Sequence, residues 1–285
     1  MLKKKEGDCM RFLSEPLISN GSPLDMSPER LGWLEPTDAS LPQTQLWETY
    51  RRHGYLWLKG FFERDVILAF RQYFFDTVFS GAKTFFEAIN SQEYEDFCSM
   101  PRLWNFYQTF LEGSPYLHKR KIIRFTHPGE THCTGGHYDL IYLRAGTDQF
   151  CTSWIPLGDI PAEMGGLLYL EHSDAVGRQM EAEFTINNAH LSPEERISAY
   201  NRNMREAGWI STDLVDMAAR FQSRWLIADY EAGDMLIHSP YMIHAATQNR
   251  DPLNRMRLST DIRFQRTNDP IDPRWTKSWL PDDNL

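Results

Sequence analysis

The segment Gly135-Gly136-His137-Tyr138-Asp139 places an imidazole and a carboxylate two positions apart, directly after a pair of glycines. In an extended backbone, side chains at positions i and i+2 leave the same face, so this histidine and aspartate can bind one ion together. An imidazole with a carboxylate suits Fe(II), Mn(II) or Zn(II), whereas a structural zinc site is expected to use thiolates. The segment therefore predicts part of a metal site.

The third ligand is expected from a strand remote in the chain, and two histidines compete for this position. His244 begins a predicted strand after Pro240, which interrupts strand pairing. His238 ends the preceding strand, where a histidine satisfied by the backbone is the more common arrangement. We therefore favour His244 and keep His238 as the alternative. A second His-x-Asp pair, at positions 172–174, is more typical of a turn.

One segment near the C-terminus carries four polar residues on the same face of a predicted strand. These residues, which alternate at period two, are Arg257, Ser259, Asp261 and Arg263. If this face points into a barrel, its burial is costly unless the groups satisfy one another or bind an anion. An arginine beside a hydroxyl is suited to a carboxylate. The alternative is an exposed edge strand that carries charges.

Short segments rich in β-branched and aromatic residues, separated by turn residues, surround these motifs and predict strands. The predicted strands cover residues 55–61, 121–126, 138–143, 149–157, 166–171, 234–238, 242–247 and 257–265. Their spacing indicates an antiparallel sandwich or barrel. Two helices are predicted before residue 82, over residues 43–54 and 63–81, from their apolar periodicity and closing glycines.

The domain organisation is predicted from changes in texture along the chain. Residues 1–42 are rich in Pro, Ser and Gly and are expected to form a partly irregular N-terminal arm. Residues 43–285 are expected to form a single domain. A helical insertion at about residues 178–222 interrupts it, with one helix starting at Ser192 and another at Ser211 or Thr212. Such an insertion is either a lid or a packing support.

The composition excludes several classes of protein. With 285 residues, 41% of them hydrophobic, the chain can build a sizeable core and is not globally disordered. Its 30 Lys and Arg against 39 Asp and Glu give a net charge of -9, so no overall field attracts nucleic acid or an anionic membrane. No signal-peptide or transmembrane pattern is found, and the 4 cysteines show no disulfide spacing. We therefore expect a cytoplasmic protein with free thiols.

Taken together, the motifs resemble the phytanoyl-CoA dioxygenase family of Fe(II)/2-oxoglutarate oxygenases, over about residues 45–275. The segments that carry the resemblance are His137-Tyr138-Asp139, Trp154 to Asp159, Gly165-Gly166-Leu167, Gly233 to His244 and Arg257-Leu258-Ser259. The resemblance implies a mainly β fold with flanking helices and a double-stranded β-helix (jelly roll) core. It is much more specific than the His-x-Asp pair alone.

The resemblance also implies a role for each site residue. His137, Asp139 and His244 would form the facial triad that binds Fe(II). Arg257, with Ser259, would bind the distal carboxylate of the cosubstrate 2-oxoglutarate. In this interpretation the metal keeps open positions for the 2-oxo acid and for O2.

Further residues follow from the same resemblance, with some departures from the family pattern. Trp154 would lie beside the cosubstrate, and Tyr138 close to it. The loop after His244 is two residues longer than the usual family spacing, so Arg255 competes with Arg257 for the carboxylate. Ala246 stands where some family members have a serine near the cosubstrate, which removes one hydroxyl contact.

The activity implied by the resemblance is oxidation of a small organic molecule, by hydroxylation, desaturation or cyclisation. This oxidation would be coupled to decarboxylation of 2-oxoglutarate to succinate. Two alternatives stay open: a non-catalytic jelly-roll protein that binds a metal or small molecule, and a zinc hydrolase with the same ligands. The substrate is not identified, although nearby aromatic residues suit an apolar molecule and basic residues suit an anionic group; these are Phe125, Tyr142, Trp225, Lys119, Arg120, Lys121 and Arg124.

Overall fold

The fold is described from a computed structural model, which describes residues 13–192, 195–196 and 208–281. The strands are β1 (Ile18–Ser19), β2 (Ser22–Pro23), β3 (Leu31–Trp33), β4 (Tyr55–Leu58), β5 (Pro115–Leu117), β6 (Ile122–Thr126), β7 (Phe150–Pro156), β8 (Leu167–Leu170), β9 (Trp225–Ile227), β10 (Met235–His238), β11 (His244–Ala246) and β12 (Arg257–Arg266).

The helices stand mainly before and between these strands. They are α1 (Gln43–His53), α2 (Arg64–Phe74), α3 (Phe85–Ile89), α4 (Gln92–Cys98), α5 (Pro101–Phe110), α6 (Leu140–Leu143), α7 (Ser173–Asn187) and α8 (Leu214–Arg220). A π-helical turn, Phe75–Phe79, continues α2. Two short 3-10 turns cover Ala162–Met164 and Pro273–Thr276.

The larger sheet has six antiparallel strands and is organised around β12. The strand order is β4-β10-β7-β12, and both β5 and β6 pair with the other edge of β12. The first half of β12 pairs with β6 and its last residues pair with β5. Strand β12 is therefore an interior strand and not the exposed edge that was the alternative, and the four polar residues of its predicted face are all buried.

The smaller sheet has the strand order β11-β8-β9-β3. Its pairs are antiparallel except for β3 and β9, which are parallel. Beyond β11, His137 forms an isolated antiparallel bridge with His244 and so adds a short pairing to this edge. The architecture is therefore a larger antiparallel sheet and a smaller mixed sheet with flanking helices.

Apolar side chains from both sheets pack together and form one of the cores. Trp57, Trp154 and Leu236 from the larger sheet join Tyr169 and Leu226 from the smaller sheet in one buried cluster. Leu56 and Leu58 of β4 belong to a separate cluster. Alternate residues of this strand therefore point to opposite faces of the sheet. The period-two pattern of this segment thus predicted its two faces correctly.

The other face of the larger sheet is covered by helices. Ile67, Phe70 and Phe74 of α2 are buried in the same cluster as Leu56 of β4. Val66 on the same helix is 44% exposed. The buried stripe of α2 therefore follows Ile67, Phe70 and Phe74, at spacings of three and four residues.

Most predicted strands and both early helices are present. The predictions for residues 121–126, 149–157, 166–171, 234–238, 242–247 and 257–265 correspond to β6, β7, β8, β10, β11 and β12. Helix α1 ends at Gly54, whose φ of 77° is left-handed, as the C-terminal glycine predicted. The local sequence pattern was sufficient to predict these elements, because the packing of their apolar side chains favours the same secondary structure.

Two predicted elements differ from the structure, and three helices were not predicted. Residues 138–143 do not form a strand: Leu140–Leu143 is a short helix, since a short apolar run is ambiguous between the two periods. Helix α8 is capped by Asp213, whose carboxylate accepts from the amides of Val215 and Asp216, rather than by Ser211 or Thr212. Helices α3, α4 and α5 were not predicted.

The predicted arm and insertion are only partly within the described residues. Residues 13–42 contain β1, β2 and β3, and β3 is tied to the smaller sheet through β9. The predicted helix from Ser192 lies mostly outside the described residues. Within them, Ser192 and Glu195 exchange two hydrogen bonds between side chain and backbone, and the amide of Arg196 donates to the carbonyl of Ser192. Within the described ranges, no helix combines the length and apolarity needed to cross a membrane. Cys98, Cys133 and Cys151 are buried and free.

Candidate metal centre

His137 and His244 are brought together by backbone pairing. The amide of His244 donates to the carbonyl of His137 at 2.9 Å, and the amide of His137 donates to the carbonyl of His244 at 3.1 Å. The centroids of the two imidazole rings are 4.2 Å apart. Asp139 follows two residues after His137, and the three potential ligand atoms lie within 4.8 Å of one another. All three side chains are buried.

Both histidines present the same nitrogen to a common point. The Nδ1 atoms of His137 and His244 each lie 2.9 Å from a backbone carbonyl, that of Gly135 and that of Met242 respectively. A carbonyl only accepts, so Nδ1 carries the proton and Nε2 keeps its lone pair. The Nε2 atoms lie 4.0 and 3.9 Å from Asp139 Oδ1. Two imidazole nitrogens and one carboxylate oxygen therefore converge.

The protonation states are those that metal ligands require. Burial lowers the pKa of His137 to about 4 and that of His244 well below its ordinary value, so both rings are neutral at neutral pH. Burial by itself would raise the pKa of Asp139, but the Arg263 guanidinium and His238 outweigh it and hold that pKa well below its usual range. Neutral imidazoles and an ionised carboxylate fit a divalent cation.

The Asp139 carboxylate also has partners that the sequence did not reveal. The hydroxyl of Thr152 donates to Oδ2, and His238 Nε2 lies 3.4 Å from the same oxygen. Arg263 Nη2 lies 3.1 Å from Oδ1. His238, the alternative third ligand, thus contacts the Asp139 carboxylate and is not one of the three residues whose potential ligand atoms are grouped. Thr152 carries no sequence signal, since buried threonines in strands are common.

The cavity beside the triad is lined by several residues of the polar face of β12. Its lining includes Arg257, Asp261 and Arg263, together with Arg124 of β6. Asp261 is paired with Arg124, whose Nε lies 2.7 Å from Asp261 Oδ2. The polar face of β12 therefore points inward. Asp261 is paired with Arg124 and Arg263 with Asp139.

Arg257 is the exception on this face. Its side chain is buried and its Nη1 donates to the carbonyl of Gly165, yet the described residues provide no carboxylate partner for it. Among the described residues, the Nε atom of Arg257 and the buried hydroxyl of Ser259 have no hydrogen-bond partner. Burial lowers the pKa of Arg257 to about 10, which still leaves it charged at neutral pH. A buried cation of this kind calls for an anionic ligand.

Arg255, the competing arginine, lies in a different environment. Its guanidinium forms an ion pair with Asp251, with Nη2 2.8 Å from Oδ1, and its side chain is 42% exposed. It is not among the residues that line the cavity at the triad. The geometry therefore favours Arg257 over Arg255 as the arginine of this cavity.

The two aromatic residues assigned to the cosubstrate are placed differently. Trp154 lines the cavity, opposite Asp261 in the pairing of β7 with β12. Tyr138 is buried in another cluster, is not part of the lining, and donates its hydroxyl to Glu181 at 2.8 Å. This placement does not favour a contact between Tyr138 and a ligand beside the triad.

The other aromatic residues considered for the substrate lie in three different places. Tyr142 faces the His137 ring at 5.7 Å between centroids, and Phe125 lines a second cavity that shares Arg124 and Arg257 with the first. Trp225 is a core residue whose indole donates to the carbonyl of Leu214.

Of the four basic residues, only Arg124 reaches the triad. Lys121 is paired with Glu95 at 2.5 Å, and Arg120 packs over Trp275 and Trp279. Lys119 is exposed and lines neither cavity. His172, from the second His-x-Asp pair, is exposed and lies outside the triad. Ala246, which departs from the family pattern, lines the cavity.

Several solved structures have a similar fold. The non-heme alpha ketoglutarate dependent carbocyclase SnoK from nogalamycin biosynthesis aligns with a TM-score of 0.59 and 17% identity over 84% of this chain and 90% of its own. The epimerase SnoN, in complex with Fe3+, alpha ketoglutarate and nogalamycin RO, gives 0.57 and 17% over 81% and 86%. AviO1 from Streptomyces viridochromogenes Tue57 gives 0.54 and 14% over 83% and 100%.

Sequence comparison agrees with the structural similarity. A family profile described as phytanoyl-CoA dioxygenase (PhyH) matches residues 50–256. This match spans more than half of the chain and contains His137, Asp139 and His244. It confirms the resemblance that the motifs indicated. The chain therefore belongs to the phytanoyl-CoA dioxygenase family of Fe(II)/2-oxoglutarate-dependent oxygenases.

Proposed function

We propose that the protein is an Fe(II)/2-oxoglutarate-dependent dioxygenase that oxidises a small organic molecule and converts 2-oxoglutarate to succinate. The observation that carries the proposal is the convergence of His137, Asp139 and His244 beside a buried arginine with no carboxylate partner among the described residues. A metal-binding protein without 2-oxo acid chemistry would have no use for that cation. The triad is suited to bind the metal, and Arg257 is suited to bind 2-oxoglutarate.

The triad would hold the metal. Its two nitrogens and one oxygen suit Fe(II), which when bound would supply the activation of O2 that organic side chains cannot perform. The carbonyl groups of Gly135 and Met242 fix the tautomers of His137 and His244, so that each ring presents Nε2. The protein thereby orients its ligands before metal binds, which reduces the entropy lost on binding.

Arg257 and Ser259 would bind the distal carboxylate of 2-oxoglutarate. Both are buried, and both have polar atoms without a partner in the part of the chain that the structure describes. A guanidinium can hold a carboxylate through two parallel hydrogen bonds, and the neighbouring hydroxyl can donate a third. Binding would neutralise the buried charge of Arg257, which the described residues leave uncompensated. Trp154 would form an apolar wall that excludes water from this end of the cavity.

The substrate would reach the metal from the second cavity. Its wall combines apolar side chains, Phe85, Phe125 and Trp279, with polar residues that include Arg124. This cavity shares Arg124 and Arg257 with the one at the triad. We therefore propose a small, mainly apolar substrate. The outcome can be hydroxylation, desaturation or cyclisation, since similar folds carry an epimerase and a carbocyclase.

The arrangement of strands supports a jelly-roll core within a single domain over residues 43–285. In the larger sheet, the order β6-β12-β7-β10 alternates strands that are distant in the chain. Neighbouring strands of the smaller sheet are also distant in the chain, in the order His137 bridge, β11, β8 and β9. This double interleaving is the pattern of two Greek keys folded together. It places His137 and His244 on one sheet, with Asp139 reaching the other.

The decisive experiment measures succinate formation by purified protein. Succinate should form only when Fe(II), 2-oxoglutarate and O2 are all present, and a metabolite library should contain compounds that accelerate it. His137→Ala should release no succinate, while Arg255→Ala should behave as the wild-type protein. Formation of succinate by His137→Ala, or a zinc-dependent hydrolysis that persists without O2 and 2-oxoglutarate, would contradict the proposal.

A further inference from the structure

Three side chains form a row across the larger sheet and point at the carboxylate of Asp139. His238 of β10 lies opposite Thr152 of β7, and Thr152 lies opposite Arg263 of β12. All three are buried, and each contacts the Asp139 carboxylate. Because they come from three neighbouring strands at one level, their positions are fixed by the hydrogen bonding of the sheet itself.

The row divides the two oxygens of the carboxylate. Oδ2 accepts from the Thr152 hydroxyl and lies 3.4 Å from His238 Nε2. Oδ1 is the oxygen closest to the imidazoles of His137 and His244, at 4.0 and 3.9 Å. Arg263 spans both, with Nη2 3.1 Å from Oδ1 and Nε 3.3 Å from Oδ2. Since a carboxylate oxygen has two lone pairs, Oδ1 retains one for a metal.

The tautomer of His238 follows from its neighbours. The hydroxyl of Tyr169 lies 2.9 Å from Nδ1 of this ring, while Nε2 faces Asp139. An ionised carboxylate only accepts, so His238 donates from Nε2 and accepts at Nδ1 from Tyr169. The ring is thereby held as a donor to Asp139, and its lone pair is turned away from the triad.

We propose that Thr152 and His238, supported by Arg263, are positioning residues that hold Asp139 Oδ2 in hydrogen bonds and leave Oδ1 as the single carboxylate oxygen offered to the metal. This inference rests on the function proposed above. A carboxylate that binds through one oxygen leaves more coordination positions for the 2-oxo acid and O2. Without these donors, Oδ2 is free to turn toward the metal and compete with the cosubstrate.

The test uses paired variants that remove or retain each donor. Thr152→Val removes the hydroxyl with little change of shape, and Thr152→Ser retains it. His238→Leu removes the ring donor, and His238→Gln retains an amide donor. Fe(II) affinity is measured without O2 by calorimetry. Binding of 2-oxoglutarate to the Fe(II)-loaded protein is followed by its charge-transfer absorbance. Thermal unfolding of each metal-free variant shows whether the fold is retained.

We expect Thr152→Val and His238→Leu to weaken Fe(II) binding by about 10- to 100-fold, the usual cost of losing a partner of a metal ligand. They should also weaken 2-oxoglutarate binding, whereas Thr152→Ser and His238→Gln should stay close to wild type. If His238→Leu does not fold, the two Thr152 variants decide alone.

Two results would overturn the inference. In the first, Thr152→Val binds Fe(II) and 2-oxoglutarate as tightly as the wild-type protein. In the second, Thr152→Val and Thr152→Ser lose the same amount of affinity. A wild-type protein that binds no Fe(II) and shows no absorbance with 2-oxoglutarate would overturn the proposed function instead. The two failures are therefore distinguishable.

Discussion

Asp139 and Arg263 form an ion pair in which Arg263 Nη2 lies 3.1 Å from Asp139 Oδ1 and neither side chain is more than 3% exposed. The same carboxylate is the proposed acidic ligand of the metal, so it serves both the site and the stability of the sheet. Removing one member of a buried pair leaves the other charge without compensation, which costs about 3–5 kcal/mol. Asp139 therefore has a structural role that His137 and His244 do not share.

Asp139→Ala should lower the free energy of unfolding of the metal-free protein by about 3–5 kcal/mol, because Arg263 is left buried and unpaired. The double variant Asp139→Ala/Arg263→Met should recover most of this loss, since it removes both charges. Urea denaturation measures both. His137→Ala, which removes a neutral ring, is the control and should lose less. Equal losses in Asp139→Ala and the double variant would contradict the role of the ion pair.

Arg257→Met should weaken 2-oxoglutarate binding by about 10- to 100-fold, the effect of losing a charged hydrogen bond worth about 1.5–3 kcal/mol. The affinity of Arg257→Lys for 2-oxoglutarate should lie between those of Arg257→Met and the wild-type protein, because an ammonium cannot hold a carboxylate through two parallel bonds. Calorimetric titration of the metal-loaded protein measures the affinity. Arg255→Met is the matched control, since Arg255 is paired with Asp251 outside the cavity. A larger loss in Arg255→Met would reverse the assignment.

Tyr138→Phe should leave the affinity for 2-oxoglutarate unchanged. Its hydroxyl donates to Glu181 rather than into the cavity, and Glu181 also contacts Arg144 at 2.6 Å. The variant should instead lower stability by about 1 kcal/mol, the usual worth of one such hydrogen bond. Parallel titration and denaturation separate the two effects. A loss of cosubstrate affinity would restore the contact that the family resemblance implies.

The stability of the metal-free protein should fall as the pH falls from about 6.5 toward 4. Burial lowers the pKa of His118 and of His137 to about 4, and that of His244 well below its ordinary value. The unfolded chain, with histidine pKa values near 6.5, binds protons in this range that the folded protein does not. Stability from this source is complete above about pH 6.5 and is lost below it.

His118→Gln tests this pH dependence at a residue outside the triad. His118 is buried and its Nε2 lies 2.8 Å from the side-chain oxygen of Gln265. The variant removes one of the three groups, so its free energy of unfolding should change less steeply between pH 6.5 and 4 than that of the wild type. Each group adds at most about 1.4 kcal/mol per pH unit. Identical slopes would show that His118 does not titrate on unfolding.

Local sequence pattern was informative wherever one segment contained the whole signal. The spacing of His137 and Asp139 predicted two ligands, although Asp139 has helical backbone angles at the start of α6 rather than the extended form assumed. The period of β12 placed Arg257 and Asp261 on one face, and the fold buries that face. These predictions required only the geometry of a few consecutive residues.

The choice between His238 and His244 was not decided in this way. The position of His244 after Pro240 favoured it, but both histidines lie at the ends of predicted strands only six positions apart. The fold separates them, because His244 pairs with His137 in the smaller sheet while His238 lies in the larger one. Strand pairing between residues distant in the chain makes this distinction, and no local period records it.

What the sequence determined by itself was the type of chemistry: two histidines, an aspartate and an arginine of suitable character, in the order of a known family. What only the tertiary structure decided was which side chains meet, and which atoms of the Asp139 carboxylate each of them contacts. Thr152, His238 and Arg263 meet at Asp139 because three strands are in register at that level. Cross-strand register depends on the packing of both sheets, so it is a property of the whole fold.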